Sequence, residues 1–358
     1  MTLLAAAIGG VGTVALNDTG NPSLPSILAG ALIIVALVAY AVLGGADYGG
    51  GVWDLFARGP RARKQRTLIA ASMGPVWEAN HIWVIFAVVV LFTCFPQAFA
   101  VVGEALPVPI SLALIGISLR GAAFAFRASY WAPSAFRERM GTIFGIASLI
   151  TPFGMGMALA GLASGEISVG TDGVVTSSIW AGWTSPFALG VGALALSLVA
   201  YLAAAFLCIE ATGALREDFR RRALGAAVAV GAAATITLPL AANAVPHLWE
   251  SLTAGAARPF LVIAPLLGIT SLGALLVRRH RIAAAAAVGQ TGAILVGWGV
   301  ASFPYLIYPG VTLAGAAAAP QAQWAILVGA VAGLVVLIPS LWFLFSLFKG
   351  RMPGLRGG

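Results

Sequence analysis

Residues 26–45, SILAGALIIVALVAYAVLGG, run for twenty positions without a charged side chain. A helix crossing the hydrocarbon layer needs about twenty apolar residues. Eight further stretches pass the same test: 70–95, 107–126, 141–163, 183–208, 223–242, 259–277, 283–301 and 323–348. The composition agrees. Charged residues make up 9% of the chain and mean hydropathy is +0.97, far from the roughly one quarter charged residues of a soluble domain. The sequence therefore predicts an all-α polytopic transmembrane helix bundle of about nine spans.

The connections between these stretches alternate in charge. The first holds Arg58, Arg61, Arg63, Lys64 and Arg66, and the second only Glu104. Arg127, Arg137 and Arg139 fall in the third, and Arg216, Arg220, Arg221 and Arg222 in the fifth. Arg278, Arg279 and Arg281 fall in the seventh, and Lys349, Arg351 and Arg356 in the tail. Of the 20 basic residues, 18 thus share one side, Arg258 lies on the other and Arg120 lies inside a span. Basic residues mark the cytoplasmic face, so the expected orientation is N-out/C-in. Residues 1–25 are read as an extracytoplasmic extension, 26–348 as the bundle and 349–358 as a cytoplasmic tail. The net charge of +8 sits in membrane-flanking clusters, which argues against nucleic acid as a partner. Cys94 and Cys208 fall near opposite faces, too far apart for a disulfide, and neither carries a metal-binding spacing.

Ionisable groups inside a bilayer are functional candidates by default. Glu78, in MGPVWEANHIW, is expected about eight residues into the second span, on the order of 12 Å deep. His81 is one turn on and shares its face. Asn80 adds a polar group, with Trp77 beside it. A buried carboxylate of this kind can accept and release protons; a structural hydrogen-bond knot is the competing reading. Asp47, in GGADYGGGVWD, is expected at the cytoplasmic end of the first span, and Asp54 beyond it at the interface. Arg120 is the natural counter-ion for Glu78 or Asp47, or a partner for a lipid or quinone head group. Arg127 is expected to snorkel at the boundary and Glu210 to be a solvated cap. The three histidines fall at different depths, which gives no support to bis-histidine haem ligation. Met155 and Met157 read as packing.

Four segments resemble subunit II of the cytochrome bd-type quinol oxidases: GGADYGGGVWDLFARG (44–59), GPVWEANHIW (74–83), FPQAFA (95–100) and SLRGAAFAFR (118–127). The resemblance implies a two-subunit respiratory enzyme of the bacterial cytoplasmic (inner) membrane that oxidises quinol and reduces oxygen to water. The haems and the quinol-oxidising loop would belong to subunit I, and this chain would bind none. Subunit II would pack beside it as a nine-helix half and supply a proton path through Asp47, Glu78 and His81. Arg120, Asn80 and Trp77 would form the ion-pair or head-group set. Some relatives hold a structural quinone, and a small single-span accessory subunit is a further expected partner besides membrane lipids. Some relatives also carry an Asp where this chain has Ala125, a departure along the implied path. A proton-coupled secondary transporter is the rival function, because buried ionisable groups in a many-span bundle serve carriers too.

Overall fold

The computed structural model describes residues 16–18, 20–73, 77–128, 133–170 and 173–349. Within them, the side chains of residues 73, 77–80, 128, 341 and 344–349 lie outside the description. The first helix, α1 (Leu24–Leu55), begins at Ser23, whose hydroxyl caps the Ser26 amide. It runs ten residues past the expected end of the first span. After α2 (Ala62–Met73) come α3 (Trp77–Cys94), the short α4 (Pro96–Ala105), α5 (Pro107–Ala128) and α6 (Ser134–Ala163). The second half repeats this plan with α7 (Pro186–Glu210), α8 (Gly213–Ala244), the short α9 (Pro246–Thr253), α10 (Arg258–Leu276) and α11 (His280–Ser302). A two-stranded antiparallel hairpin, β1 (Tyr305–Ile307) and β2 (Val311–Thr312), leads into α12 (Pro320–Lys349).

Among the described residues, eight helices are long and apolar enough to cross a membrane, or nine if the bent pair α3–α4 counts as one span. The bend is 118°. Pro96 cannot donate the amide that would carry α3 onward, and Phe95 leaves helical geometry at φ −140°, ψ 61°. Val245, before Pro246, takes nearly the same conformation at φ −139°, ψ 66°. The two halves thus share a helix–break–short helix–helix plan that no sequence repeat announces. The helices group accordingly. α1, α3, α5 and α6 form one quartet, and α7, α8, α10 and α11 the other. They join where α1 lies against α7 and α11, and where α6 lies against α7.

The glycine-rich run Gly44–Gly51 is helical throughout. Its glycines are contact points rather than breaks. A Cβ at Gly49 would lie 1.9 Å from the Val199 carbonyl oxygen on α7, so only glycine lets the two backbones approach this closely. The same contact explains why α1 continues. Its last turns are packed on both sides and their polar groups are satisfied: Arg127 donates both terminal nitrogens to Asp54 at 2.6 and 3.0 Å. Asp54 is only 3% exposed. The expectation that Asp54 is plain interface and that Arg127 snorkels is therefore corrected: the two close an ion pair between α1 and α5, with the acid buried and the base half-buried. Nearby, Arg61 grips Asp218 with two bonds, and Gln65 and Arg222 extend the network. This pairing carries α8 ten residues beyond the apolar stretch expected for it.

The extension expected over residues 1–25 falls mostly outside the described residues; its last two residues already belong to α1, and the tail beyond Lys349 is not described. Leu16 and Asp18 are described, and their carbonyls accept bonds from Thr312 at the end opposite the basic loops. Cys94 and Cys208 are both buried free thiols, near the ends of α3 and α7.

Candidate functional site

Each helix of the first quartet contributes to one polar cluster. Arg120, on α5, is 0% exposed and the largest of the fully buried side chains. It sits eight residues before the end of its helix, on the order of 12 Å from that end. From α6, the Ser148 hydroxyl accepts from Arg120 Nε at 3.2 Å and donates onward to the Phe144 carbonyl at 2.7 Å. From α3, His81 Nε2 lies 3.4 Å from Arg120 Nη1. A guanidinium has donors only. The imidazole therefore accepts at Nε2 and carries its proton on Nδ1, as the neutral ring.

α1 completes the cluster. The Tyr40 and Tyr48 hydroxyls share a hydrogen bond of 2.8 Å although eight residues separate them. Gly44 makes this reach possible, because a Cβ there would stand 2.8 Å from the Tyr40 ring. Tyr48 and Phe144 offer ring faces to the guanidinium at 4.8 and 5.0 Å. His81 packs edgewise on Tyr48 at 5.9 Å and tilted on Tyr40 at 5.8 Å.

A guanidinium this deep carries a desolvation penalty of several kcal/mol. Two cation–π contacts, each worth about 2 kcal/mol when desolvated, and the charge-assisted bond to Ser148 offset it. Asp47 adds a negative charge that acts on Arg120 and on both tyrosines. Asp47 itself is 4% exposed and eight residues inside the end of α1. It is expected at the cytoplasmic end of the first span; α1 continues eight residues past it, and its side chain is buried within the protein. Arg120 Nη2 has no hydrogen-bond partner among the described residues. A water or a carboxylate oxygen would complete it.

Of the expected site residues, Arg120, His81 and Asp47 are brought into one neighbourhood. Trp77, Glu78 and Asn80 have backbones on the first described turn of α3, and their side chains lie outside the described residues. Tyr40, Tyr48 and Ser148 were missed. The signal for the tyrosines was their place beside the glycines of α1, which spacing alone did not weight. Ala125 is exposed on α5. In the second quartet the corresponding polar contact is uncharged: Tyr201 on α7 bonds Ser271 on α10, which donates to the Ala283 carbonyl on α11. Among the described residues, the buried charged side chains, Asp47, Asp54 and Arg120, all lie in the first quartet.

The family model for cytochrome bd terminal oxidase subunit II matches residues 24–348. The chain belongs to that family. It is therefore a multi-pass membrane subunit of a haem-containing bacterial terminal oxidase, and the transporter reading is set aside. A Bacillus subtilis protein named "Putative cytochrome bd menaquinol oxidase subunit II" is 23% identical over 334 residues, spanning 89% of this chain and 95% of that one. The cytochrome bd-I ubiquinol oxidase subunit 2 of Escherichia coli K12 is 25% identical over 200 residues, 55% of this chain and 52% of that one. The bd oxidase structure from Geobacillus thermodenitrificans superposes with a TM-score of 0.79 at 23% identity. It covers 92% of this chain and all of that chain, which supports the fold.

His81 turns Nε2 toward the Arg120 guanidinium. His247, on α9, stacks on Tyr308 at 4.9 Å. His280 opens α11. Among the described residues, no three His, Cys, Asp or Glu side chains converge on a metal-sized space.

Proposed function

We propose that this chain is subunit II of a quinol:oxygen oxidoreductase, that it packs against a haem-bearing subunit I, and that its first helix quartet passes protons inward from the basic face. The observation that carries this reading is the buried cluster of Arg120, His81, Tyr40 and Tyr48, beside the α3 turn that bears Glu78. Reduction of oxygen to water consumes protons at a site shielded from bulk water, so a polar relay must cross an apolar layer. Glu78 precedes His81 by three residues and shares its helical face by register. In this reading Glu78 takes up the proton, Arg120 and Asp47 hold the electrostatic balance, and the neutral His81 and the tyrosine pair line the route. The full burial of Arg120 supports an ion-pair and hydrogen-bond role for it over direct contact with a quinone or lipid head group in the bilayer.

The partner is tested by pigment. The chain produced alone is expected to show no haem absorbance, and the complex with subunit I to show it in full. Stoichiometric haem on the isolated chain would overturn the assignment and make His81 the first ligand to test by His81→Ala.

Orientation is a second expected result. The basic loops mark the cytoplasmic side, which puts the segment after α6 outside. In a background with both native cysteines replaced, Glu166→Cys should react with an impermeant maleimide added to intact cells. Glu217→Cys should react only after the cells are opened. The reverse pattern would invert the topology.

A further inference from the structure

Away from the Arg120 cluster, the ends of α7, α8, α10 and α11 surround a cavity of about 700 Å³ on the basic face. Arg216 reaches it from α8, Arg278 and Arg279 from the turn after α10, and His280 and Arg281 from the first turn of α11. Glu210 is the one carboxylate among the lining residues. The nearby Glu217 is engaged elsewhere, gripped by Arg220 at 2.8 Å and approached by Arg221 at 3.7 Å. Four guanidiniums therefore face a single acid.

The helix geometry adds to the imbalance. α11 has no acidic residue in its first turn, and its N-cap, Arg279, makes no side-chain capping bond. The first amides of a helix lack intrahelical partners and carry the positive end of the macrodipole. Cations there raise the free energy unless an anion sits among them. Arg216 is anchored by its Nε on the Ala211 carbonyl at 2.7 Å, which fixes it at the cavity wall. His280 Nδ1 is buried and has no hydrogen-bond partner among the described residues.

We infer that this cavity binds a phosphate-bearing anion, and that its occupant is the head group of an anionic phospholipid. Guanidiniums match phosphate oxygens with paired donors. The apolar setting points to a lipid as the source. Ile282 lines the cavity and is 46% exposed. Leu276 and Val277, immediately before the arginines, are 61% and 67% exposed. A phosphodiester seated among the arginines would lay its acyl chains along these side chains. Basic recesses between membrane helices at the cytoplasmic surface bind lipid head groups by the same physics. The inference does not depend on the proton path.

The test uses the full chain, exchanged into mixed micelles of phosphatidylglycerol and phosphatidylcholine and examined by native mass spectrometry. One phosphatidylglycerol per chain should be retained. The triple variant Arg278→Gln, Arg279→Gln, Arg281→Gln should lower that retention at least tenfold. All three residues are exposed, and an unchanged elution volume will show that the fold survives. The pair Arg137→Gln, Arg139→Gln removes two exposed bases from the same face, at the start of α6, and should change nothing. Equal retention in the triple variant, or equal loss in the control pair, overturns the site. A second arm titrates inorganic phosphate. Failure to displace the lipid at millimolar concentration supports the lipid head group as occupant. Binding of phosphate at the same arginines with no retained lipid overturns the lipid as the source.

Discussion

Arg120→Ala is expected to cost about 3–5 kcal/mol of folded stability, the scale for removing one member of a buried charged cluster. Three losses combine. The ring faces of Tyr48 and Phe144 lose the cation they flank. Ser148 and His81 lose a shared donor. Asp47, 4% exposed, loses the charge interaction with Arg120. Arg120→Lys restores the charge but not the planar fork that reaches Ser148 and His81 from one group, and should recover only part of the loss. Heating in detergent, followed by the fraction that remains monodisperse, measures the effect. A melting midpoint for Arg120→Ala within a degree or two of the parent would mean that the cluster contributes little to holding the quartet together.

The membrane class, the number of crossings and the family resemblance were legible because they rest on long-range averages. Twenty-residue apolar runs and one-sided basic loops survive small errors in any boundary. What the sequence hid is where helices stop. Hydropathy marks the greasy part of a helix, whereas the backbone continues for as long as its polar groups find partners. Asp54 and Asp218 are such partners, pairing with arginines distant in sequence. α1 and α8 run about ten residues beyond their apolar stretches, so α1 continues past Asp47. Glycine weakens an isolated helix, and the contact with Val199 shows what the run is used for here.

The candidate site was half legible. Charge in an apolar stretch singled out Arg120, His81 and Asp47, because the cost of burying such groups does not depend on knowing the fold. Tyr40, Tyr48 and Ser148 carry no such signal. Hydroxyls are common in membrane helices, and their importance arises only where four helices meet. The doubled architecture was invisible for a related reason. Phe95–Pro96 and Val245–Pro246 share a backbone conformation, not a motif.

Glu78→Gln is expected to lower oxygen-reduction turnover of the assembled oxidase by roughly a hundredfold, the lower range for losing a positioned proton-transfer group, with haem content unchanged. Glutamine keeps the length and most of the hydrogen bonding of glutamate, so the quartet should still assemble around Arg120. It cannot bind and release a proton. Glu78→Asp keeps the acid but shortens it by one methylene, and should retain part of the activity. His81→Phe is the companion variant, since it keeps a ring against Tyr40 and Tyr48 while removing the acceptor for Arg120. A route that runs through the cluster predicts that turnover falls in His81→Phe as well, and that combining it with Glu78→Gln costs little more than Glu78→Gln alone. Groups in series on one path are not additive, whereas independent sites are. Two measurements decide, turnover and haem per complex. Loss of haem or of assembly in Glu78→Gln would make the residue a structural hydrogen-bond centre. Full turnover with full haem would mean that protons enter by another route, and the buried cluster would then be an element of packing alone.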